Sequence, residues 1–162
     1  MRRFEKISYE QFKKDIHGSD TLYQAYALPT RATKCSAAYD FKTIQALEIL
    51  PGETKNIPTG VKAQMNDDEV LMVVVRSSMG FHYNIRLVNQ VGIIDGDYYN
   101  NSDNEGHIWI KLQNEGTIPF RIEAGVGIAQ GMFTKFLTVD HEECQEKNIR
   151  TGGFGSTNKE EK

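Results

Sequence analysis

The run Val91-Gly92-Ile93-Ile94-Asp95-Gly96-Asp97-Tyr98 is a β-branched apolar segment that ends in two carboxylates split by a glycine, then an aromatic ring. Its first half has the composition of a buried strand. On either side the same texture recurs, from Leu28 to about Val139. The segments are Tyr39–Phe41, Leu47–Leu50, Lys55–Ile57, Val61–Met65, Val70–Val75, Ile85–Val88, Ile108–Leu112, Ile118–Ile122 and Ile128–Phe136. Turn clusters such as Pro51-Gly52-Glu53-Thr54 and Asn66-Asp67-Asp68-Glu69 separate them, and no long helical period intervenes. Short strands at this spacing imply an all-β barrel or sandwich.

The end of the opening run carries chemistry. Residues i and i+2 of an extended chain share a face, so Asp95 and Asp97 point together if the strand continues. A bend at Gly96 sends them apart. In either geometry an acid at the rim of a rigid strand suits proton abstraction or the holding of a metal-bound water. The plainer alternative is a strand closing in a solvated Asp-Gly-Asp turn.

Bulk properties narrow the class. The chain has 162 residues, 39% hydrophobic and 25% charged, which suits one domain with a core that needs no staples. A formal net charge of −3 gives no overall positive field, which argues against nucleic-acid or anionic-membrane binding. An anionic ligand must therefore be met by a few local cations and backbone amides. Cys35 and Cys144 lie far apart, which favours reduced thiols in a cytoplasmic setting, a disulfide between them being the alternative. No apolar run is long enough to span a bilayer, and Arg2 and Arg3 lead into polar residues unlike a secretory signal.

The ends of the chain differ from its middle. Ser8 followed by Gln11 predicts a capped short helix from about Tyr9, stopped by His17-Gly18-Ser19-Asp20. This makes residues 1–20 a peripheral leader, 21–139 the barrel and 140–162 a polar crossing followed by a glycine-rich arm. That arm, Arg150-Thr151-Gly152-Gly153-Phe154-Gly155-Ser156-Thr157, combines exposed amides, a cation and hydroxyls around one phenylalanine with nothing local to bury it. It reads as a phosphate-gripping flap with an aromatic lid, or as a frayed tail.

Four further segments carry polar groups at strand positions. Asp40 sits inside Ser36-Ala37-Ala38-Tyr39-Asp40-Phe41, where an unpaired carboxylate is costly. Arg76-Ser77-Ser78 follows the strand Val70–Val75 and forms a grip for an oxyanion or phosphate, or an ordinary strand exit. Asn89 offers a donor and an acceptor to a planar amide such as a pyrimidine edge, or marks a turn. Gln130 interrupts Gly127-Ile128-Ala129 and suits holding a water, or faces solvent from a strand.

In order and spacing, these segments resemble the homotrimeric dUTP pyrophosphatases (dUTPases), including those of Gram-positive bacteria and their phages, over roughly Leu28 to Thr157. The family segments correspond to SAAYDF (36–41), RSSMG (76–80), NQVGIIDGDY (89–98), GVGIAQ (125–130) and RTGGFGST (150–157). The resemblance implies a distorted jelly-roll β-barrel with a short N-terminal helix and a mobile C-terminal arm. It also implies hydrolysis of dUTP to dUMP and pyrophosphate, which limits uracil in DNA and supplies dUMP for dTTP synthesis.

The roles it implies fall residue by residue. Asp95 is the general base for water attacking the α-phosphorus. Tyr98 is the platform under the deoxyribose, which leaves no room for a 2′-hydroxyl. The Ile85–Ile94 hairpin, with Asn89, Gly92 and Ile94, is the uracil slot. Arg76 and Ser77, with Ser78 nearby, bind phosphates, and Gln130 positions water. Asp40 is an outer-shell acid, acting through water on a Mg²⁺ held by the phosphates. Arg150, Phe154, Gly155, Ser156 and Thr157 form the arm over the base and the terminal phosphates. Each site is shared among three subunits, and in a phage protein a regulatory protein partner is added. Departures from the family are Ala38 for glycine, Gly127 for arginine, a short spacing from Arg150 to Phe154, and a polar insertion at 99–106. Asp97 has no assigned role. The nearest rival, dCTP deaminase, lacks the Ile-Ile-Asp-x-Asp-Tyr string; the other is a binding protein that keeps the site as a switch.

Overall fold

The apolar run 70–75 becomes a central strand, paired on both sides. In the computed structural model the described residues are 1–140 and 152–153. Along the chain they form β1 (Arg3–Lys6), α1 (Tyr9–Ile16), α2 (Asp20–Ala25), β2 (Tyr39–Lys42), β3 (Leu47–Ile49), β4 (Thr54–Pro58), β5 (Val61–Gln64), β6 (Glu69–Val75), α3 (Ser77–Tyr83), β7 (Ile85–Leu87) and β8 (Gly92–Asp95). A 3₁₀ turn, Gly96–Tyr98, follows, then β9 (Trp109–Asn114), β10 (Phe120–Ile122) and β11 (Gly127–Lys135). All ladders are antiparallel, in the orders β2-β11-β6-β8, β4-β9-β7, β1-β5 and β10-β3. The strand pattern's expectation of an all-β architecture holds, and the antiparallel ladders agree with the distorted jelly-roll barrel that the resemblance implies.

Alternation along the strands builds the core. Phe41, Ile49, Leu71, Ile85, Ile108, Ile110, Leu112 and Ile128 are all sealed from solvent. Burial of each such side chain contributes about 1.5–3 kcal/mol against exposure. Gly131 makes room for two of them: a Cβ there would meet Phe41 at 2.7 Å and Leu71 at 3.0 Å.

Two features depart from the sequence reading. The Ile85–Ile94 segment is not a hairpin ladder. β7 pairs with β9 and β8 with β6, so the turn between them switches sheets. Gln90 takes φ 60°, its amide donates to Leu87 O (2.9 Å), and Val91 N donates to Asn89 O (2.6 Å). A left-handed residue in a tight turn rotates the following strand away from the preceding one.

The N-terminal segment is also more than a peripheral cover. The expected helix is present, with Ser8 Oγ accepting from Gln11 N (3.1 Å), but Ser19 caps a second helix, α2, where a stop is expected. Ile7 and Phe12 are fully buried, and Phe12 stacks on Tyr26 at 5.5 Å. β1 runs along β5 through four residue pairs. The reciprocal half of the expected capping box is absent: Ser8 N donates to Glu105 (2.9 Å), while the Gln11 side chain turns to Asp15 (2.8 Å).

His107 joins this segment to the barrel. Its ring is wholly buried, Nδ1 lies 2.6 Å from Asp15 Oδ2, and Nε2 accepts from Gly60 N (2.9 Å). An accepting Nε2 requires the neutral ring. Burial pushes its pKa below the usual 6.5, against the opposing pull of Asp15 and Glu105. The folded state therefore resists a proton that the unfolded chain takes up. Stability is full above the ordinary histidine pKa and falls as pH drops through it. The thermal midpoint is expected to fall between pH 7.5 and pH 5.5, and differential scanning calorimetry of His107→Gln should show most of that slope removed.

Candidate active site

The sheet-switching turn and the end of β8 open a narrow slot. It encloses about 170 Å³, below the roughly 300 Å³ at which drug-sized sites begin, and so suits one small group. Asn89, Gly92, Ile93, Ile94, Asp95 and Tyr98 line one side, with Val73, Leu87, Ile108, Trp109 and Ile110 behind. β8 ends at Asp95 and the chain turns at once into the 3₁₀ turn, so the two acids part: Asp95 is half-buried at the slot while Asp97 is exposed. A Cβ at Gly92 would meet Val73 Cβ at 3.4 Å and Asn89 Nδ2 at 3.7 Å, ordinary contact distances, so close packing of the backbone does not by itself demand glycine there.

Tyr98 is almost fully buried, and its hydroxyl donates to His107 O (2.9 Å) and accepts from Asn104 Nδ2 (2.8 Å). The insertion that supplies Asn104 is a built loop rather than loose surface. Buried Asn101 bonds Tyr98 O (2.8 Å) and Asn104 Oδ1 (2.9 Å) with its amide, and accepts from the amides of Asp103 and Asn104. Trp109 lines the slot and Asn104 holds the Tyr98 hydroxyl from outside it; the sequence reading singled out neither. Trp109's place between two buried isoleucines was the available signal.

A second hollow, about 590 Å³, collects the remaining described candidates: Asp40, Arg76, Ser77, Ser78 and Gln130. Register explains their meeting. Asp40 pairs with Gln130 and Gln130 with Val74, a row on one face of three adjacent strands. The bulge at Ile128, between Gly127 and Ala129, sets that register. Met72 and Val74 line this hollow whereas Val73 lines the slot. No residue lines both cavities: Asp95 lies at the slot and Arg76 at the hollow.

Arg76 lies flat across the start of β11. Its Nη1 donates to Gly127 O (3.2 Å), and its Nε sits 3.3 Å from Asp40 Oδ1. Asp40, the acid whose burial alone is costly, thus has its counter-charge. A Cβ at Gly127 would meet Arg76 Nη1 at 2.9 Å, Cδ at 3.2 Å and Cζ at 3.3 Å. Glycine at 127 is what lets the Arg76 guanidinium occupy that space. Among the described residues no three His, Cys, Asp or Glu side chains converge as a metal cage. Cys35 is a free, exposed thiol.

Arg150, Phe154, Gly155, Ser156 and Thr157 lie outside the described residues, as does Cys144. Of the arm, Gly152 and Gly153 are described. Gly152 abuts Asp103, and Gly153 lies so close to the Tyr98 ring that a Cβ would sit 2.8 Å from Cε2. The glycine pair therefore rests on the slot of its own chain.

Comparison with known proteins identifies this arrangement. A model of the dUTPase family matches residues 24–158. The chain belongs to the dUTPase family. A deoxyuridine 5′-triphosphate nucleotidohydrolase of Lactococcus lactis subsp. lactis is 48% identical over 130 residues, covering 80% of this chain and 87% of that protein. The crystal structure of a dUTPase from Streptococcus mutans superposes with a TM-score of 0.70 at 40% identity, over 85% of this chain and 98% of the other. A mutant dUTPase from phage phi11 of S. aureus, in a structure said to reveal the coordination of a structural Mg(II) ion, shares the fold with a TM-score of 0.65 at 16% identity. It covers 90% of this chain and 97% of its own. No described helix is long and apolar enough to cross a membrane.

The Gly127 contact generates a test within this family. Gly127→Ala adds a methyl whose nearest neighbours are all atoms of Arg76. It is expected to weaken pyrophosphate binding several-fold in calorimetric titration, while the thermal midpoint moves by less than about 2 °C. Unchanged pyrophosphate affinity would show that the Arg76 pose is irrelevant to anion binding.

Proposed function

We propose that the protein hydrolyses dUTP to dUMP and pyrophosphate, limiting uracil in DNA and supplying dUMP for dTTP synthesis in the cytoplasm. The observation that carries this reading is the slot itself: a small cavity lined by the Asn89 amide, Tyr98 and the Asp95 carboxylate, in a chain 48% identical to a deoxyuridine 5′-triphosphate nucleotidohydrolase. The base enters between Asn89 and the β8 backbone at Gly92 and Ile94. The deoxyribose rests on Tyr98, where close packing of the ring excludes a 2′-hydroxyl. The α-phosphorus then lies near Asp95, whose carboxylate takes the proton of the attacking water. A carboxylate within hydrogen-bond reach of the attacking water can serve as its general base.

The phosphate chain lies in the second hollow. Arg76 and Ser77, with Ser78, meet its oxygens, and Gln130 orients water. Asp40 keeps one oxygen on Arg76, which leaves the other to accept from a metal-bound water. This donor set fits Mg²⁺ carried in by the triphosphate and contacted through water, and Mg²⁺ supplies charge neutralisation of the leaving pyrophosphate. Spreading the developing negative charge over fixed cations is the electrostatic part of such a reaction.

Asp95 and Arg76 line separate cavities with no lining residue in common, which supports a homotrimer in which Asp95 of one chain meets Arg76 of a neighbour. The arm closes over the slot with Phe154 on the base and Arg150, Ser156 and Thr157 on the phosphates. Gly153 on Tyr98 supports that closure, and the same contact serves whether the arm covers its own chain or is exchanged between protomers. A regulatory protein partner belongs to this reading only if the protein comes from a phage.

Pyrophosphate release from dUTP, with dCTP, dTTP and UTP as competitors and with or without Mg²⁺, tests the whole reading. Asp95→Asn should fold and assemble normally while turnover falls by about 10²–10⁴, the range of general-base catalysis. Turnover near that of the parent would remove Asp95 from the mechanism.

A further inference from the structure

We propose that the N-terminal leader, most of which precedes the family-matched residues, sets the sugar selectivity of the slot by fixing the Tyr98 ring through Asp15, His107 and Asn104. The proposal rests on the reading of Tyr98 as the sugar platform. Exclusion of a 2′-hydroxyl is a steric task, and an apolar pocket rejects an added hydroxyl only weakly unless its wall holds still. The question is what keeps this ring still.

Its hydroxyl is pinned from two directions, by His107 O (2.9 Å) and by Asn104 Nδ2 (2.8 Å). Neither partner is positioned by the barrel alone. His107 is bonded on both ring nitrogens, to Asp15 of α1 (2.6 Å) and to Gly60 (2.9 Å), so α1 fixes the residue whose carbonyl holds Tyr98. Asn104 is locked by Asn101 (2.9 Å) and by Gly106 N (3.0 Å), on a loop whose next residue is gripped from the leader. Glu105 accepts from Ser8 N (2.9 Å) and Ser8 Oγ (2.5 Å), the capping residue of α1, and pairs with Lys62 at 3.3 Å. Tyr99 Oη donates to Glu5 of β1 at 2.5 Å. Gly106 seals the loop: its φ is +83°, and a Cβ would stand 2.5 Å from Tyr98 O. From Tyr98 to His107 the chain is thus held at both ends and tied to the leader at Tyr99, Glu105 and His107. A leader with only a covering role would not need to place an acid on the one histidine whose carbonyl meets the Tyr98 hydroxyl.

The test compares kcat/KM for dUTP and UTP in the full chain and in Asp15→Ala, Asp15→Asn, Asn104→Ala and Tyr98→Ala. Loosening the ring in Asp15→Ala and Asn104→Ala is expected to lower the dUTP-to-UTP ratio about fivefold or more, with kcat on saturating dUTP within about twofold of the parent. Asp15→Asn, whose amide oxygen still accepts from His107 Nδ1–H, should keep the ratio, which a loss of bulk stability would not explain. An unchanged ratio in both alanine variants, with a collapsed ratio in Tyr98→Ala, overturns the leader's role and leaves the platform standing. An unchanged ratio in Tyr98→Ala overturns the platform reading itself. If Asp15→Ala fails to fold, Asn104→Ala decides, because its side chain takes no part in the bonds of Asp15 to His107 or of Glu105 to Ser8.

Discussion

The antiparallel ladder between β6 and β11, seven residue pairs from Ala129–Val75 to Lys135–Glu69, is the constraint on which the site depends. A paired strand has no freedom to choose which side a residue faces. Once Val73 is committed inward to the slot, Met72 and Val74 must face the other hollow, and the polar row Asp40–Gln130 lies on that face beside them. The slot with Asp95 and the hollow with Arg76 have no lining residue in common.

Small departures from regularity tune each half. The bulge at Ile128 brings Gln130 level with Asp40, and the glycine before it leaves space for the Arg76 guanidinium. In the family an arginine often stands at that position. Here a single arginine lies across it and is bonded both to the glycine carbonyl and to the Asp40 carboxylate. A charge from the second segment thus sits where the fourth segment lacks one. On the other face, the left-handed turn at Gln90 moves the chain from one sheet to the next and leaves Asn89 at the slot mouth.

The strands were legible because each is an apolar or alternating run closed by turn residues, and all ten segments read from the sequence are strands with ends shifted by two residues or fewer. Their partners were less legible. β7 and β8 are adjacent in sequence and look like a hairpin, but one left-handed residue sends them to different sheets, and no composition cue at Gln90 announces it. The leader misled for a related reason. His17-Gly18-Ser19-Asp20 ends one helix and caps the next, so a stop signal and a start signal share four residues. The 99–106 insertion reads as solvated because its residues are polar, yet Asn101 and Glu105 spend that polarity on internal bonds. Gly92, Asp95 and Tyr98 were legible from one segment and line one slot, whereas Asn104 and His107 were not, because they bond the Tyr98 hydroxyl and only packing reveals it.

The central claim, that one chain's Asp95 works with a neighbour's Arg76, is most directly tested by mixing two inactive variants. Asp95→Asn and Arg76→Ala would be prepared separately, co-refolded in equal amounts, and assayed for pyrophosphate release from dUTP. In a shared site, intact Asp95 and intact Arg76 come from different chains, so random mixing should restore about a quarter of the sites. If each site is built within a single chain, every site in the mixture carries one defect and activity stays at the level of the separate variants.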